Sequence, residues 1–182
     1  AEGYNVVGHC ADLGTEQGCQ QLVGAAVEAF GQLDIVIHNA GWVGYQPIEA
    51  IESAFIARAL DVSVYAPVWL CKHAWKYLRQ SVAPRVVLTT SDRAMYAQYA
   101  QPGLVAYAAG KMAQLGIMNA LSMEGRGDGI MVNAVSPVAK TRMWGVTEAP
   151  DTLKPEWVTP GVVFLASEAC QDTGYVLRAS NG

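Results

Sequence analysis

Apolar residues fall along this chain in two alternating patterns. Short runs that are apolar at nearly every position read as strands buried on both faces. They cover 4–13 (YNVVGHCADL), 33–41 (LDIVIHNAG), 85–91 (RVVLTTS), 130–137 (IMVNAVSP) and 175–180 (YVLRAS). Longer segments with a 3.6-residue repeat read as helices between them. Over 15–31, Leu22, Val23, Ala26, Val27 and Phe30 share one face, behind Thr15 as N-cap. A long helix is predicted over 48–80, kinked near Pro67. Another is predicted over 104–125 with Gly125 as its stop, and a last one over 154–169.

Strands alternating with helices predict an α/β fold, a doubly wound parallel sheet with helices on both faces. In such sheets the ligand crevice lies at the carboxyl ends of the strands. Those ends read Asp12, then His38-Asn39-Ala40-Gly41, then Thr89-Thr90-Ser91, then Ser136-Pro137.

Composition narrows the picture. The 182 residues suit one domain, 1–182, and 52% hydrophobic against 15% charged residues suits a large core plus a subunit interface. A net charge of −4 offers no basic surplus for nucleic acid. The longest continuous apolar run, 64–71, is too short for a membrane span. Cys10, Cys19, Cys71 and Cys170 form no CxxC pair, and His9, His38 and His73 show no ligand spacing. No metal is expected, and a reducing, cytoplasmic setting is.

The chemistry concentrates in AYAAGKMAQLGIMNALSMEG (106–125), where Tyr107 and Lys111 interrupt an apolar helix one turn apart. None of the other seven tyrosines has a lysine four residues on. The helix follows the strand end that carries Ser91, so a serine and a tyrosine can converge on one substrate oxygen. A free phenol has a pKa of ~10, and lowering it to ~7 needs roughly 4 kcal/mol. An ammonium at ~4 Å in an effective dielectric of ~20 supplies about that much. Gly110, between the two, would keep the helix surface open to a cofactor.

With these residues in place the chain resembles the short-chain dehydrogenases/reductases over nearly its whole length. HNAG (38–41) is similar to that family's NNAG, TTS (89–91) to its serine-bearing strand end, and YAAGK (107–111) to its YxxxK. NAVSPVAKTRM (133–143) is similar to the segment that holds the nicotinamide carboxamide. The resemblance implies a Rossmann-type fold, NAD or NADP as cofactor, and a small alcohol or ketone as substrate. It makes Tyr107 the general acid/base, Lys111 its modulator and a ribose ligand, and Ser91 the carbonyl-orienting hydroxyl. Asp12 and Leu13 would contact the adenine side; Asn39, Ala40, Gly41, Pro137, Val138 and Thr141 would complete the cofactor site. The relay asparagine of the family would be Asp61. A homodimer or homotetramer built on helices 48–80 and 104–125 is implied too. The stretches SMEGRGDGIMVNAVSPVAKTRM and LKPEWVTPGVVFLASEACQDTG look most like the 3-hydroxyacyl-CoA dehydrogenase domains of peroxisomal multifunctional enzymes.

Several departures stand out. Ser91 lies sixteen residues before Tyr107, about three more than is usual in the family, which implies an insertion within 95–103. Val138 replaces a glycine. No strand–GxxxGxG–helix segment is found, so the first two strands of the family's sheet are missing and weak or absent dinucleotide binding is expected. The strand ending at Asp12 could instead slide beside the HNAG strand. A cofactor-free binding or assembly module is the second reading. A serine hydrolase finds no GxSxG elbow, and Arg126-Gly127-Asp128 reads as a turn. Trp144 and Trp157 are candidates for an apolar substrate wall.

Overall fold

The computed structural model describes residues 3–180, apart from the side chain of Trp144. Among them, four strands form one parallel sheet in sequential order: β1 (Ile35–His38), β2 (Arg85–Thr89), β3 (Met131–Pro137) and β4 (Val176–Ala179). Register places His38 opposite Leu88, Thr89 opposite Val135, and Pro137 opposite Ala179. The carboxyl ends that carry the candidate chemistry are therefore neighbours.

Alternate residues of each strand face opposite layers. Val36, Val86, Leu88, Val132 and Ala134 point into the larger core. There they meet Cys19 and Val23 of α1 (Glu16–Phe30), Ala66, Leu70, Cys71, Ala74 and Leu78 of α3 (Ala66–Leu78), and Met118 of α5 (Val105–Glu124). Val87 and Val135 point the other way, against Val158 and Leu165 of the segment ending in α6 (Thr159–Ala166). That second layer stops short of β1, whose Ile35 and Ile37 are 41% and 46% exposed.

Helix boundaries follow local chemistry. Thr15 caps α1, its Oγ1 accepting from Gly18 N at 3.1 Å, and Gly31 ends it at φ 75°. Gly18 lets the helix start close to the preceding chain, since a Cβ there would lie 1.9 Å from the Asp12 carbonyl oxygen. The predicted 48–80 helix is broken into three. A 3-10 turn (Ile48–Ala50) precedes α2 (Ser53–Leu60), and a π-helical turn (Asp61–Tyr65) joins α2 to α3. The irregularity expected near Pro67 is this π-turn, and Pro67 stands just inside α3. Ser53–Leu78 as a whole is long and apolar enough to cross a membrane by length and composition, which the run length of 64–71 did not suggest. Its α3 half is committed to the sheet through the buried residues above. Gly125 does end α5, but at φ −77°; the left-handed residue is Gly129, beyond the 3-10 turn Arg126–Asp128. The helix expected over 154–169 is a 3-10 turn (Pro155–Val158) followed by α6.

One predicted strand does not form. Residues 4–12 carry no regular secondary structure, Leu13 begins a turn, and Tyr4, Val6 and Val7 are exposed. A β-branched run needs a partner edge to become a strand. The strand positions beside β1 are not filled by any described residue, and the sliding of this segment onto β1 does not occur. The sheet is thus one sequentially ordered half of the doubly wound arrangement.

Candidate active site

Ser91 sits just past β2, where it caps the short helix α4 (Asp92–Met95); its Oγ accepts from the Arg93 N–H at 3.3 Å. Tyr107 lies in the first turn of α5 and lines the same cavity as Ser91. Lys111 lies one turn on, 3% exposed, and its Nζ donates to the Thr89 carbonyl at 2.7 Å. Thr90 Oγ1 returns the contact by donating to the Lys111 carbonyl at 2.7 Å. These two bonds clamp α5 across the end of β2.

Burial sets the protonation states. It raises the Tyr107 phenol above its ordinary 10, against the Ser91 hydrogen bond and the Arg93 charge, which pull it down. Burial likewise lowers the Lys111 ammonium to about 8. The expectation that Lys111 depresses the phenol is therefore not met in this state: the ammonium is turned to a backbone carbonyl, and the depressing cation is Arg93. His38, fully buried at the end of β1, is held to about 4 by burial and by the Lys111 charge, so it is neutral.

A cavity of about 560 Å³ opens at the carboxyl ends of β1, β2 and β3. Ser91, Tyr107 and Lys111 line it together with Asn39, Gly41, Pro137, Val138 and Thr141. Thr89 Oγ1 fixes the Asn39 side chain by donating to its Oδ1 at 3.2 Å. The inferred insertion forms one wall: Gln98, Tyr99, Ala100 and Gln101 line the cavity. Tyr45 Oη donates to Gln101 Oε1 at 3.2 Å, and Gln46 N to the Gly103 carbonyl at 3.0 Å, which tie this wall to the loop after β1.

Four expected residues are not brought to the cavity. Ala40 turns away between Asn39 and Gly41. Asp12 and Leu13 lie at the entry of α1, where Asp12 Oδ1 accepts from Gly14 N at 3.0 Å. Asp61 sits beside that same entry, its Cβ 3.5 Å from where a Gly14 Cβ would stand. The residue of the π-turn that faces α5 is Ser63, fully buried, with its carbonyl accepting from Gln114 Nε2 at 3.0 Å. Gly110 is explained by this packing rather than by cofactor access: a Cβ on it would lie 2.7 Å from Ser63 Cβ. Trp157 stands outside the cavity with Lys154 Nζ 5.6 Å over its ring, and the Trp144 side chain lies outside the described residues.

Three charged residues of the site were not anticipated. Asp92 is buried and accepts from Ser136 Oγ and from Arg178 Nε, each at 2.5 Å, which joins the ends of β2, β3 and β4. Arg178 also lies 5.9 Å over the Tyr99 ring. Arg93 lines the cavity beside Ser91. Asp92 and Arg93 could have been suspected from Ser91-Asp92-Arg93, where two charges directly follow a buried strand. Arg178 carried no local signal.

Comparison with known proteins agrees with this arrangement. Residues 1–151 match the short chain dehydrogenase family. The chain is 28% identical over 175 residues to peroxisomal multifunctional enzyme type 2 of Mus musculus, covering 94% of this chain and 23% of that protein. It is 32% identical over 177 residues to the peroxisomal hydratase-dehydrogenase-epimerase of Neurospora crassa, covering 94% of this chain and 19% of that protein. The chain spans less than two thirds of the length of the curated relatives it matches. Among solved structures, NADH-dependent reductase A1-R' complexed with NAD superposes with a TM-score of 0.82 at 30% identity, covering 96% of this chain and 73% of that one.

Proposed function

Because this chain belongs to the short-chain dehydrogenase family, we propose that it interconverts a secondary alcohol and a ketone with a nicotinamide cofactor. The observation that carries this reading is that Ser91, Tyr107 and the buried Lys111 line one cavity at the strand ends.

The residues present fit the nicotinamide end of a dinucleotide. Gly41 leaves the space before Lys111 open, since its Cβ position lies 3.6 Å from Nζ and any larger side chain would cover the ammonium. Asn39, Gly41 and Lys111 would hold the ribose, and Pro137, Val138 and Thr141 the carboxamide. The cofactor, when bound, supplies or accepts the hydride. Every proton movement belongs to the chain. Ser91 holds the substrate oxygen by a hydrogen bond. Tyr107, protonated at neutral pH because burial raises its pKa, donates its proton to the ketone oxygen in reduction. In oxidation it accepts the alcohol proton. A 3-hydroxyacyl or 3-oxoacyl group is the substrate class that the resemblance to multifunctional enzymes suggests.

Replacing Tyr107 by Phe in the full-length protein tests this reading. Turnover of secondary alcohols and ketones should fall by about 10²–10⁴ while cofactor binding persists. Unchanged turnover would remove Tyr107 from the mechanism. A second copy of the chain is the partner we assign to α5, where exposed Val105, Met112 and Met123 fall on one helical stripe. Light scattering of the eluted protein reads that assembly directly.

A further inference from the structure

Ser91 stands where the chain leaves the sheet. Thr90 still belongs to the ladder, its N–H donating to the Val135 carbonyl at 2.9 Å, and Asp92 already opens α4. α4 has only four residues, and a helix of that length is not held in place by its own backbone bonds. Yet this helix orients the Ser91 hydroxyl, whose Oγ accepts from the Arg93 N–H at 3.3 Å. α4 packs on α5, and its polar anchor to the sheet is the Asp92 side chain.

That anchor uses both carboxylate oxygens. Oδ1 accepts from Ser136 Oγ and Oδ2 from Arg178 Nε, each at 2.5 Å, and Asp92 is buried. Ser136 and Arg178 stand opposite one another in the β3–β4 register, so the two donors leave one face of two paired strands. A carboxylate held from both strands cannot turn without leaving a donor unmet, and its bond to the guanidinium is of the strong, charge-assisted kind. Arg178 is held a second time, with its Cζ 5.9 Å over the Tyr99 ring of the insertion wall. On the other side, Ser136 is followed by Pro137 and Val138, and the Val138 N–H donates to the Ala179 carbonyl at 2.7 Å. Ser91, Asp92, Tyr99, Pro137, Val138 and Arg178 all line the one cavity.

From this arrangement we propose that Asp92 is a positioning residue for the reaction, setting the Ser91 hydroxyl against the end of β3 with Ser136 and Arg178 as its two anchors. This rests on the alcohol–ketone reading above and deepens it. Asp92 acts through Ser91 and needs no contact with substrate. The same carboxylate fixes the residue that would hold the substrate oxygen and the strand end whose next residues would hold the carboxamide. It therefore governs how the two reacting halves meet, and a misplacement of about 1 Å at such a point costs about a hundredfold in rate.

A double-mutant cycle with Ser91 tests this on the full-length protein. Acetoacetyl-CoA, ethyl acetoacetate and cyclohexanone are reduced with NADH and with NADPH, at enzyme concentrations high enough to read the residual rate of Ser91→Ala. Rates are divided by the concentration of cofactor-binding sites, so that a loss of folded protein cancels. Asp92→Asn keeps the size of the side chain, but its amide nitrogen cannot accept from Ser136 or Arg178. With Ser91 present it should lower kcat/KM by about ten- to a hundredfold. In the Ser91→Ala background it should change kcat/KM by no more than about threefold, because the residue it acts through is gone. Ser136→Ala removes one anchor and leaves the carboxylate; it should show the same dependence on Ser91 at smaller size, and it decides the case if Asp92→Asn does not fold. Equal losses in both backgrounds overturn the inference, since a residue that only stabilises the fold does not need Ser91. So does a change of less than about threefold with Ser91 present. A Ser91→Ala protein as active as wild type, beside an inactive Tyr107→Phe, overturns the inference and leaves the alcohol–ketone reading standing. A wild-type protein that reduces none of the three ketones overturns that reading, and the inference with it.

Discussion

Lys111 places an ammonium where burial opposes its charge, and the cost is measurable. Its pKa falls from 10.5 to about 8 in the folded chain, through burial. Each unit is about 1.4 kcal/mol, so the protonated lysine destabilises the fold by about 3 kcal/mol at pH 7. The sign follows from proton linkage. Between the folded value and the unfolded one the unfolded chain binds more protons, so stability rises with pH across the window from about 8 to 10.5. By pH 10 the remaining cost is about 1 kcal/mol. Lys111→Met removes the titration and also the donor to the Thr89 carbonyl, a loss of about 1–3 kcal/mol that does not depend on pH. The difference in unfolding free energy between wild type and variant should therefore move by about 2 kcal/mol in favour of wild type between pH 7 and pH 10. Urea unfolding of both proteins at the two pH values measures it. A difference that stays flat would show that the lysine keeps its solvated pKa in the folded chain, and the account of the clamp at β2 would fall with it.

Other expectations are simpler to state. Gly110→Ala forces a Cβ to within 2.7 Å of Ser63 and should cost about 1–3 kcal/mol of overpacking, partly offset by about 1 kcal/mol of helix propensity; a raised melting temperature would contradict the packing of α5 on the π-turn. Asp92→Ala leaves Arg178 and Ser136 without their shared acceptor and should lower stability by about 2–4 kcal/mol, read from the thermal midpoint with ΔH of unfolding; a midpoint equal to wild type would mean the three strand ends are not joined by it. Because burial raises the Tyr107 phenol, ketone reduction should hold its rate through neutral pH while alcohol oxidation climbs toward alkaline pH as the phenol ionises; oxidation that is pH-independent from 7 to 10 would place the proton acceptor elsewhere.

Period and run length made the sheet legible: four of the five predicted strands form, at the predicted places, because each carries enough apolar surface for two layers. The fifth, residues 4–13, stays off the open edge of β1, with Tyr4, Val6 and Val7 exposed. The helix boundary at Asp61–Tyr65 was hidden for a related reason. Nothing in DVSVY breaks a helix by itself; the π-turn arises where Ser63 meets Gly110 and His38 fills the space at the end of β1. Asp61 stands at the entry of α1, and Ser63 is the residue of the turn that meets α5. Within the site, residues adjacent in sequence to the recognised motifs were legible and the cross-strand partner Arg178 was not.

The strand ends explain how the candidate side chains are held in place. Each functional side chain is held by backbone or side chain from the neighbouring element, and none of those neighbours lies beyond β1. Lys111 is held by Thr89, α5 by Thr90, Asn39 by Thr89, and Asp92 by β3 and β4. Preorganisation of this kind is supplied by β2, β3, β4 and α5 themselves. It also fixes the resting state: with its ammonium turned to Thr89, Lys111 leaves the phenol protonated, and Arg93 is the cation that moderates it.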